Sequence, residues 1–204
     1  MRINKKKFIY LISPNKIYPE FYHDLNQVLR TGKVALFQLR LKKYSLKQKI
    51  VIGKKIQRIC KKNNIKFIVN DDPILSKTLN ADGCHLGQKD MNIKNARKII
   101  GNKIIGVTCH NSIKLAKAAI KENADYIAFG AFFSTTTKKV KFKANIKILN
   151  KIKKLTKTPI VAIGGINFDN YKKLLLNNAN LLAISSYVWN NKKYKPLETI
   201  EKIK

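Results

Sequence analysis

The chain has 204 residues, 45% of them hydrophobic, so it can bury a core of ordinary domain size and global disorder is not expected. Its 43 lysines and arginines against 11 acidic residues give a formal net charge of +32, spread along almost every predicted helix. Without a basic tail, zinc-finger spacing or RNP-like aromatic motif, this charge argues against dedicated nucleic-acid binding. Attraction of anionic substrates is an expected by-product.

The hydrophobic runs and cysteines exclude further classes of protein. No apolar run approaches the ~20 residues that a membrane span needs. Phe8–Ile12, which follows the N-terminal lysines, is too short for a signal-peptide core, so a cytoplasmic location is expected. Cys60, Cys84 and Cys109 are odd in number and lack CxxC spacing, which argues against a disulfide framework or a structural zinc site.

Short apolar runs alternate with helical patterns along the whole chain. The predicted strands are Phe8–Ile12, Ala35–Leu39, Ile65–Val69, Cys84–Leu86, Ile104–Val107, Tyr126–Phe129, Pro159–Ile163 and Leu181–Ile184. The predicted helices are Tyr18–Leu29, one from Ser45 through about Cys60, Pro73–Leu79, Ile93–Ile100, Asn111–Glu122, Ile146–Leu155, Phe168–Asn177 and Leu197–Ile203.

These strand–helix units form a regular series without a break in composition, so one domain over residues 1–204 is expected. Strands that alternate with helices indicate an α/β protein with a parallel sheet. Eight units in about 200 residues favour a single (β/α)8 TIM barrel. An open, doubly wound sheet remains the alternative, because periodicity alone does not show closure.

Polar residues gather at the C-terminal ends of the predicted strands, the face on which barrel enzymes build their sites. In chain order they are Gln38, Arg40, Lys42, Asn70, Asp71, Asp90, Thr108, His110, Thr135–Lys139, Gly164, Gly165, Ser185 and Ser186. This recurrence predicts a functional site at that rim of the barrel.

Asp71 and Asp90 follow neighbouring predicted strands, so their carboxylates should converge. Two carboxylates with room for water suit Mg²⁺, which completes its shell with water and substrate phosphate. The alternative is that Asp71 or Asp72 caps the next helix, and a cap is expected of one of the two.

Several segments are suited to anions. Gly164-Gly165 has no side chains to block the approach of a phosphate to backbone N–H groups, although a tight turn would also explain it. Arg40 and Lys42 emerge from a buried strand, where an unpaired cation would be costly, and are interpreted as partners of a diphosphate. The loop Thr135–Lys139 offers hydroxyls and cations, or is simply a solvated basic loop. His85 and His110 are interpreted as core or supporting residues rather than as proton-transfer groups.

From Phe8 to about Trp189 the chain resembles the thiamine phosphate synthase family, within the synthase/thiazole tautomerase superfamily. The matching motifs are Gln38-Leu39-Arg40-Leu41-Lys42, Val69-Asn70-Asp71-Asp72, Ala81–Asp90, Gly106–His110, Thr135–Lys139, Ile163–Ile166 and Ile184-Ser185. The resemblance implies a transferase that condenses hydroxymethylpyrimidine diphosphate with a thiazole phosphate, by a dissociative mechanism that releases diphosphate.

The resemblance also implies roles for individual residues. The expected pyrimidine diphosphate site is Gln38, Leu39, Arg40, Leu41, Lys42, Asn70, Thr108 and Lys138. The expected thiazole phosphate site is Thr135, Thr136, Thr137, Gly164, Gly165, Ile184 and Ser185. Asp71 and Asp90 would hold Mg²⁺, and Arg40, Lys42 and Lys138 would act in catalysis.

The chain departs from the family pattern at four positions. Leu41 stands where the family has glutamate, Ala131 and Ser134 where it has proline, and Thr108 where it has serine. These departures leave substrate preference and rate open. Two alternatives also stay open: a thiazole tautomerase using His110, and a non-catalytic basic binding protein. The retained cations and carboxylates favour the synthase.

Overall fold

The computed structural model describes residues 7–134 and 143–204. Within these ranges eight parallel strands pair in chain order and the last pairs with the first, so the sheet closes into a barrel. The strands are β1 Ile9–Ile12, β2 Val34–Leu39, β3 Lys66–Asn70, β4 Gly83–Leu86, β5 Ile104–His110, β6 Tyr126–Gly130, β7 Ile160–Ile163 and β8 Leu181–Ile184. The predicted (β/α)8 barrel is therefore confirmed, and closure excludes the open sheet.

Helices follow the strands around the outside. Over the same residues they are α1 Phe21–Arg30, α2 Leu46–Lys62, α3 Pro73–Thr78, α4 Ile93–Ile100, α5 Ile113–Lys121, α6 Lys147–Lys153, α7 Tyr171–Leu176, α8 Ser186–Trp189 and α9 Pro196–Lys202. The short α8 was not predicted. The predicted start of the first helix at Tyr18 is wrong, because Tyr18 lies ahead of α1 and donates its hydroxyl to Asp24 at 2.8 Å.

Two layers of buried side chains hold the barrel together. Successive residues of a strand point to opposite faces, so Ile9 and Leu11 pack outward against the helices while Tyr10 and Ile12 point into the barrel interior. The inner cluster comprises Tyr10, Ile12, Leu36, Ile68, Tyr126, Ala128, Val161, Leu181 and Ala183. The interior is thus a packed core whose two tyrosines carry polar groups below the C-terminal rim.

A repeated clip fastens the N-terminal rim. Asp82, Asp125 and Asn180 each lie one residue before a strand. Each side chain accepts a hydrogen bond from a backbone N–H at the start of the preceding strand. The donors are the N–H groups of Phe67, Ile105 and Ile160, all at 2.9 Å. Three strand pairs are therefore secured at the end of the barrel away from the predicted site.

The turn before each clip is also repeated. Asn80, Asn123 and Asn178 each precede a clip residue by two positions and adopt left-handed backbone with φ of 45°, 61° and 72°. Asparagine tolerates this conformation better than most residues. The three segments thus share the sequence pattern Asn-Ala-Asp or Asn-Ala-Asn and one turn geometry.

In the part of the chain that the structure describes, no helix has both the length and the apolar character required to cross a bilayer.

Candidate functional site

The site centres on two carboxyl groups at the C-terminal rim. Asp71 follows β3 directly and Asp90 lies four residues after β4. Burial, and next the hydrogen-bonding contact with Asp71, raise the pKa of the Asp90 carboxyl above its ordinary value. Lys42 Nζ lies 3.3 Å from Asp71 Oδ2. The predicted convergence of Asp71 and Asp90 is therefore present, with a lysine beside it.

Backbone geometry fixes these carboxyl groups in place. Asp71 has φ of 64°, an uncommon conformation for a residue with a side chain, and its N–H donates to the carbonyl of His85 at 2.7 Å. The N–H of Gly87 donates to Asp90 Oδ2 at 2.7 Å. Strained backbone of this kind persists where the surrounding structure enforces it, and it is common at functional sites.

The neighbouring Asp72 has a different role. Its Oδ1 accepts a hydrogen bond from the N–H of Leu75 at 2.8 Å, which caps the N-terminus of α3. The expected helix cap is therefore Asp72, and Asp71 remains at the rim. Among the described residues, no group of three or more His, Cys, Asp or Glu side chains could hold a metal ion. The candidate metal site is therefore limited to the carboxylate pair.

Arg40 brings a second cation to the carboxylate pair. Burial lowers its pKa, and the nearby Asp71 opposes that shift. Its N–H donates to Ser13 Oγ at 2.9 Å and its Nη1 donates to Asn15 Oδ1 at 3.3 Å. The first contact fixes the main chain of Arg40, and the second positions its guanidinium at the rim. Neither Ser13 nor Asn15 was predicted, because Ser13-Pro14 reads only as a strand breaker.

The remaining residues of the Gln38–Lys42 segment alternate in direction. The side chains of Leu39 and Leu41 are buried in the outer core between strands and helices. A substrate contact from either residue would have to come from its main chain. Asn70, the last residue of β3, is partly buried and lies in register with His85 on β4.

A chain of hydrogen bonds lies beneath the rim and joins two of the predicted pyrimidine-site residues. Gln38 Nε2 donates to Tyr10 Oη at 2.7 Å, and Tyr10 Oη lies 2.7 Å from Tyr126 Oη. Tyr126 Oη lies 2.9 Å from His85 Nδ1, and His85 Nε2 lies 2.8 Å from Thr108 Oγ1. His85 is thus a buried residue bonded at both ring nitrogens, and burial lowers its pKa to about 4.

The glycine turn after β7 packs tightly against the loop after β6. A side chain on Gly164 would overlap Ala131, and one on Gly165 would overlap the backbone of Phe133 and Ser134. Gly165 also has φ of 63°. The N–H of Phe133 donates to the carbonyl of Gly164 at 3.1 Å. The turn therefore requires glycine at both positions.

The loop after β8 is tied to the end of β1. Ser185 Oγ donates to the carbonyl of Ser13 at 3.1 Å, and Trp189 Nε1 donates to the carbonyl of Ile12 at 2.6 Å. Ile184 is buried in the outer core, so a ligand contact there would involve its main chain. Ser13 accordingly links the predicted thiazole phosphate side, through Ser185, to the backbone of Arg40.

Four predicted site residues, Thr135, Thr136, Thr137 and Lys138, lie outside the described residues. The described chain stops at Ser134 and resumes at Lys143. The N–H of Ala144 donates to the carbonyl of Ala131 at 2.8 Å, so both sides of this interval lie beside the glycine turn. His110, the candidate of the tautomerase alternative, ends β5 with φ of 52°.

Known proteins of one family match the chain over nearly its whole length. A family model described as thiamine monophosphate synthase matches residues 9–188. A thiamine-phosphate synthase of Pelagibacter ubique is 65% identical over 208 residues, covering 100% of both chains, and one of Rhodospirillum centenum is 39% identical over 185 residues, covering 90% of this chain and 89% of the relative. The solved thiamine phosphate pyrophosphorylase from Pyrococcus furiosus has a TM-score of 0.86 at 30% identity, covering 98% of this chain and 94% of its own. The chain therefore belongs to the thiamine monophosphate synthase family, and the protein is a transferase.

Proposed function

We propose that the protein condenses hydroxymethylpyrimidine diphosphate with a thiazole phosphate to give thiamine phosphate and diphosphate. Where the thiazole carries its carboxylate, CO₂ is lost as well. The observation that carries this proposal is the close approach of Asp71 and Asp90 at the rim beside Lys42 and Arg40, in a chain whose relatives are thiamine-phosphate synthases.

The carboxylate pair fits Mg²⁺. Loss of solvation, and next the contact with Asp71, raise the pKa of the Asp90 carboxyl, so full ionisation of the pair is unfavourable. A hard divalent cation removes the repulsion and takes one or two carboxylates with water and phosphate oxygens. When bound, Mg²⁺ would neutralise part of the charge that develops on the departing diphosphate.

The cations of the β2 end are suited to the diphosphate. Arg40 is held by Ser13 and Asn15, and Lys42 by Asp71, so both are positioned before a substrate arrives. Such preorganised charges stabilise a leaving group more effectively than mobile ones. Lys138 is proposed to join them from the loop after β6.

The pyrimidine and the thiazole phosphate would lie on opposite sides of this charged centre. Gln38, Asn70 and Thr108, with the main chain of Leu39 and Leu41, would contact the pyrimidine diphosphate. The thiazole phosphate would be bound by the bare backbone of Gly164 and Gly165, the main chain of Ile184, Ser185, and the threonines Thr135, Thr136 and Thr137.

The buried cysteines argue against a covalent enzyme intermediate. Cys84 and Cys109 are buried, and burial raises the pKa of both thiols, so neither is suited to act as a nucleophile. In line with the resemblance to the family, the diphosphate would depart first, held by Arg40, Lys42 and Lys138. The thiazole nitrogen would then capture the pyrimidine-methyl cation, and the role of the chain is to orient the two substrates.

The proposal is tested by measuring thiamine phosphate formation with and without Mg²⁺. Asp71→Ala should lower turnover sharply and leave the melting temperature nearly unchanged, because Asp71 faces the rim rather than the core. Glu122→Ala, which removes an exposed carboxylate at the end of α5, is the matched control and should behave as wild type.

Near-wild-type turnover in Asp71→Ala would reject the metal assignment. Conversion of the thiazole substrate without Mg²⁺ or pyrimidine diphosphate, and without thiamine phosphate formation, would indicate the tautomerase alternative instead.

A further inference from the structure

The hydrogen-bonded chain beneath the rim crosses the barrel interior without a break. It connects side chains from β2, β1, β6, β4 and β5, in the order Gln38, Tyr10, Tyr126, His85 and Thr108. The first four are buried and Thr108 is partly exposed. Among the described residues, no buried side-chain nitrogen or oxygen lacks a hydrogen-bond partner. The polar groups of Tyr10, Tyr126 and His85 therefore find their hydrogen-bond partners within this series of side chains.

Tyr126 is the middle link, and its ring has little freedom to move. The ring meets Tyr10 edge-on, with centroids 5.6 Å apart and an interplanar angle of 88°. It stacks on His85 at 5.6 Å and 17°. Gly106 on β5 leaves the space for it, since any side chain there would overlap the ring. The position of the Tyr126 hydroxyl is thus set by packing on three sides.

The chemistry of the groups gives this chain a direction. The amide nitrogen of Gln38 can only donate, so the Tyr10 hydroxyl accepts from it and directs its own single proton to Tyr126. Tyr126 in turn donates to His85 Nδ1. Because Nδ1 accepts the Tyr126 proton, it carries none of its own, so the ring carries its proton on Nε2 and donates it to Thr108 Oγ1. The hydroxyl proton of Thr108 is then available to another acceptor.

We propose that this series of hydrogen bonds is a one-way relay that fixes which groups of the pyrimidine site donate and which accept hydrogen bonds. Tyr126 is a positioning residue within it. The relay makes the Thr108 hydroxyl a donor toward the substrate and leaves the Gln38 carbonyl oxygen as an acceptor. An aminopyrimidine offers a ring-nitrogen acceptor and an amino donor, which match this pair. The oxo analogue replaces the amino donor with an acceptor and is disfavoured. The inference rests on the proposed function for the identity of the ligand.

The direction of the relay is tested without any substrate. In the full chain labelled with ¹⁵N-histidine, His85 should carry its proton on Nε2, with its signals assigned through His23→Gln and His110→Gln variants. Tyr126→Phe removes the donor to Nδ1 and should populate the Nδ1–H form. Tyr10→Phe leaves the Tyr126 donor in place and should leave the tautomer unchanged. An Nδ1–H ring in the wild-type protein, or no change in Tyr126→Phe, would overturn the relay.

The consequence for specificity is tested by kinetics. Tyr126→Phe should raise KM for the pyrimidine diphosphate about tenfold, the loss expected for one oriented hydrogen bond, and leave KM for the thiazole phosphate unchanged. The ratio of kcat/KM for the amino substrate to that for the oxo substrate should fall by a similar factor. Tyr171→Phe is the matched control, because Tyr171 is equally buried but its hydroxyl bonds only the main chain of Lys204 among the described residues.

Unaltered kinetics in Tyr126→Phe would reject the specificity role. If that variant does not fold, Tyr10→Phe tests the Gln38 end, because it removes the acceptor that orients the Gln38 amide, and an unaltered KM for the pyrimidine diphosphate would reject the role there. A wild-type protein that makes no thiamine phosphate would contradict the proposed function, while the histidine tautomer would still decide the direction of the relay.

Discussion

At the N-terminal rim of the barrel, Asp82 and Asp125 each accept a strand N–H at 2.9 Å and pair with a cation, whereas at the C-terminal rim Asp71 and Asp90 face each other. The cations of the lower pairs are Lys66, at 2.8 Å from Asp82, and Arg97, at 3.1 Å from Asp125. Each lower carboxylate has both an N–H donor and a cation, the partners that an ionised group requires. The upper pair divides one donor and one cation between two carboxyl groups, with Gly87 on Asp90 and Lys42 on Asp71, and the environment of Asp90 opposes its ionisation.

This difference separates stability from function within one fold. A carboxylate with an N–H donor and a cation strengthens the native state. Two carboxyl groups in contact destabilise the native state, and such an arrangement persists where a bound ion offsets the repulsion. The charge of an aspartate therefore serves stability at the lower rim and the proposed metal site at the upper rim.

The variant with the largest expected effect on this comparison is Asp90→Asn. Loss of one carboxylate should reduce turnover by about a hundredfold, as for removal of one preorganised transition-state contact. The melting temperature without metal should stay the same or rise, because the repulsion with Asp71 is removed. Steady-state kinetics over a Mg²⁺ titration and a thermal melt in chelator measure the two effects. A fall in both activity and stability would place Asp90 with the lower carboxylates.

The converse change at the lower rim is Asp125→Ala. It removes the acceptor of the Ile105 N–H and the partner of Arg97, and should lower the free energy of unfolding by about 2 kcal/mol. Turnover per folded molecule should not change. Asp125→Asn is the matched variant with the smaller loss, since Asn180 makes the same clip with an amide oxygen. Urea unfolding compares the three proteins, and a large loss of activity in folded Asp125→Ala would break the distinction between the rims.

The smallest expected effect is the pH dependence that Asp90 contributes in the absence of metal. Its folded pKa is raised above the ordinary value of 3.8, so between the unfolded and folded values the native state binds more protons than the unfolded state. This contribution therefore lowers stability as pH rises through that window, and the penalty is complete above it. Asp90→Asn should gain melting temperature over wild type at neutral pH and lose that gain at acid pH. A gain that is independent of pH would contradict the assignment.

The sequence was sufficient for the architecture and for the placement of four charged residues at one rim. Eight apolar runs of strand length, each followed by a helical pattern, predict the barrel because period and connection length together leave few topologies. Asp71, Asp90, Arg40 and Lys42 could be placed at one rim because the carboxyl ends of parallel strands in a barrel lie on the same face.

The parts that sequence reasoning missed depend on contacts between distant residues. Tyr10 and Tyr126 read as core residues in buried strands, and they are buried, but only the closed barrel brings their hydroxyls together. Ser13 reads as a strand breaker, yet it bonds the backbone of Arg40 and the side chain of Ser185. The inward alternation of Tyr10 on its strand was a signal that could have placed its hydroxyl in the interior.

The recurring Asn-Ala-Asp or Asn-Ala-Asn turn has a practical consequence for engineering. Because these turns secure strand pairs from below, the loops above can be exchanged without removing the contacts that set strand register there. Replacement of the segment between Gly87 and Asn92, at the opposite end of the barrel from these turns, would thus leave the strand pairs intact while removing Asp90 and the proposed metal site. Libraries built at the upper loops with the three turns left untouched should retain folded members at a higher frequency than libraries that vary both ends.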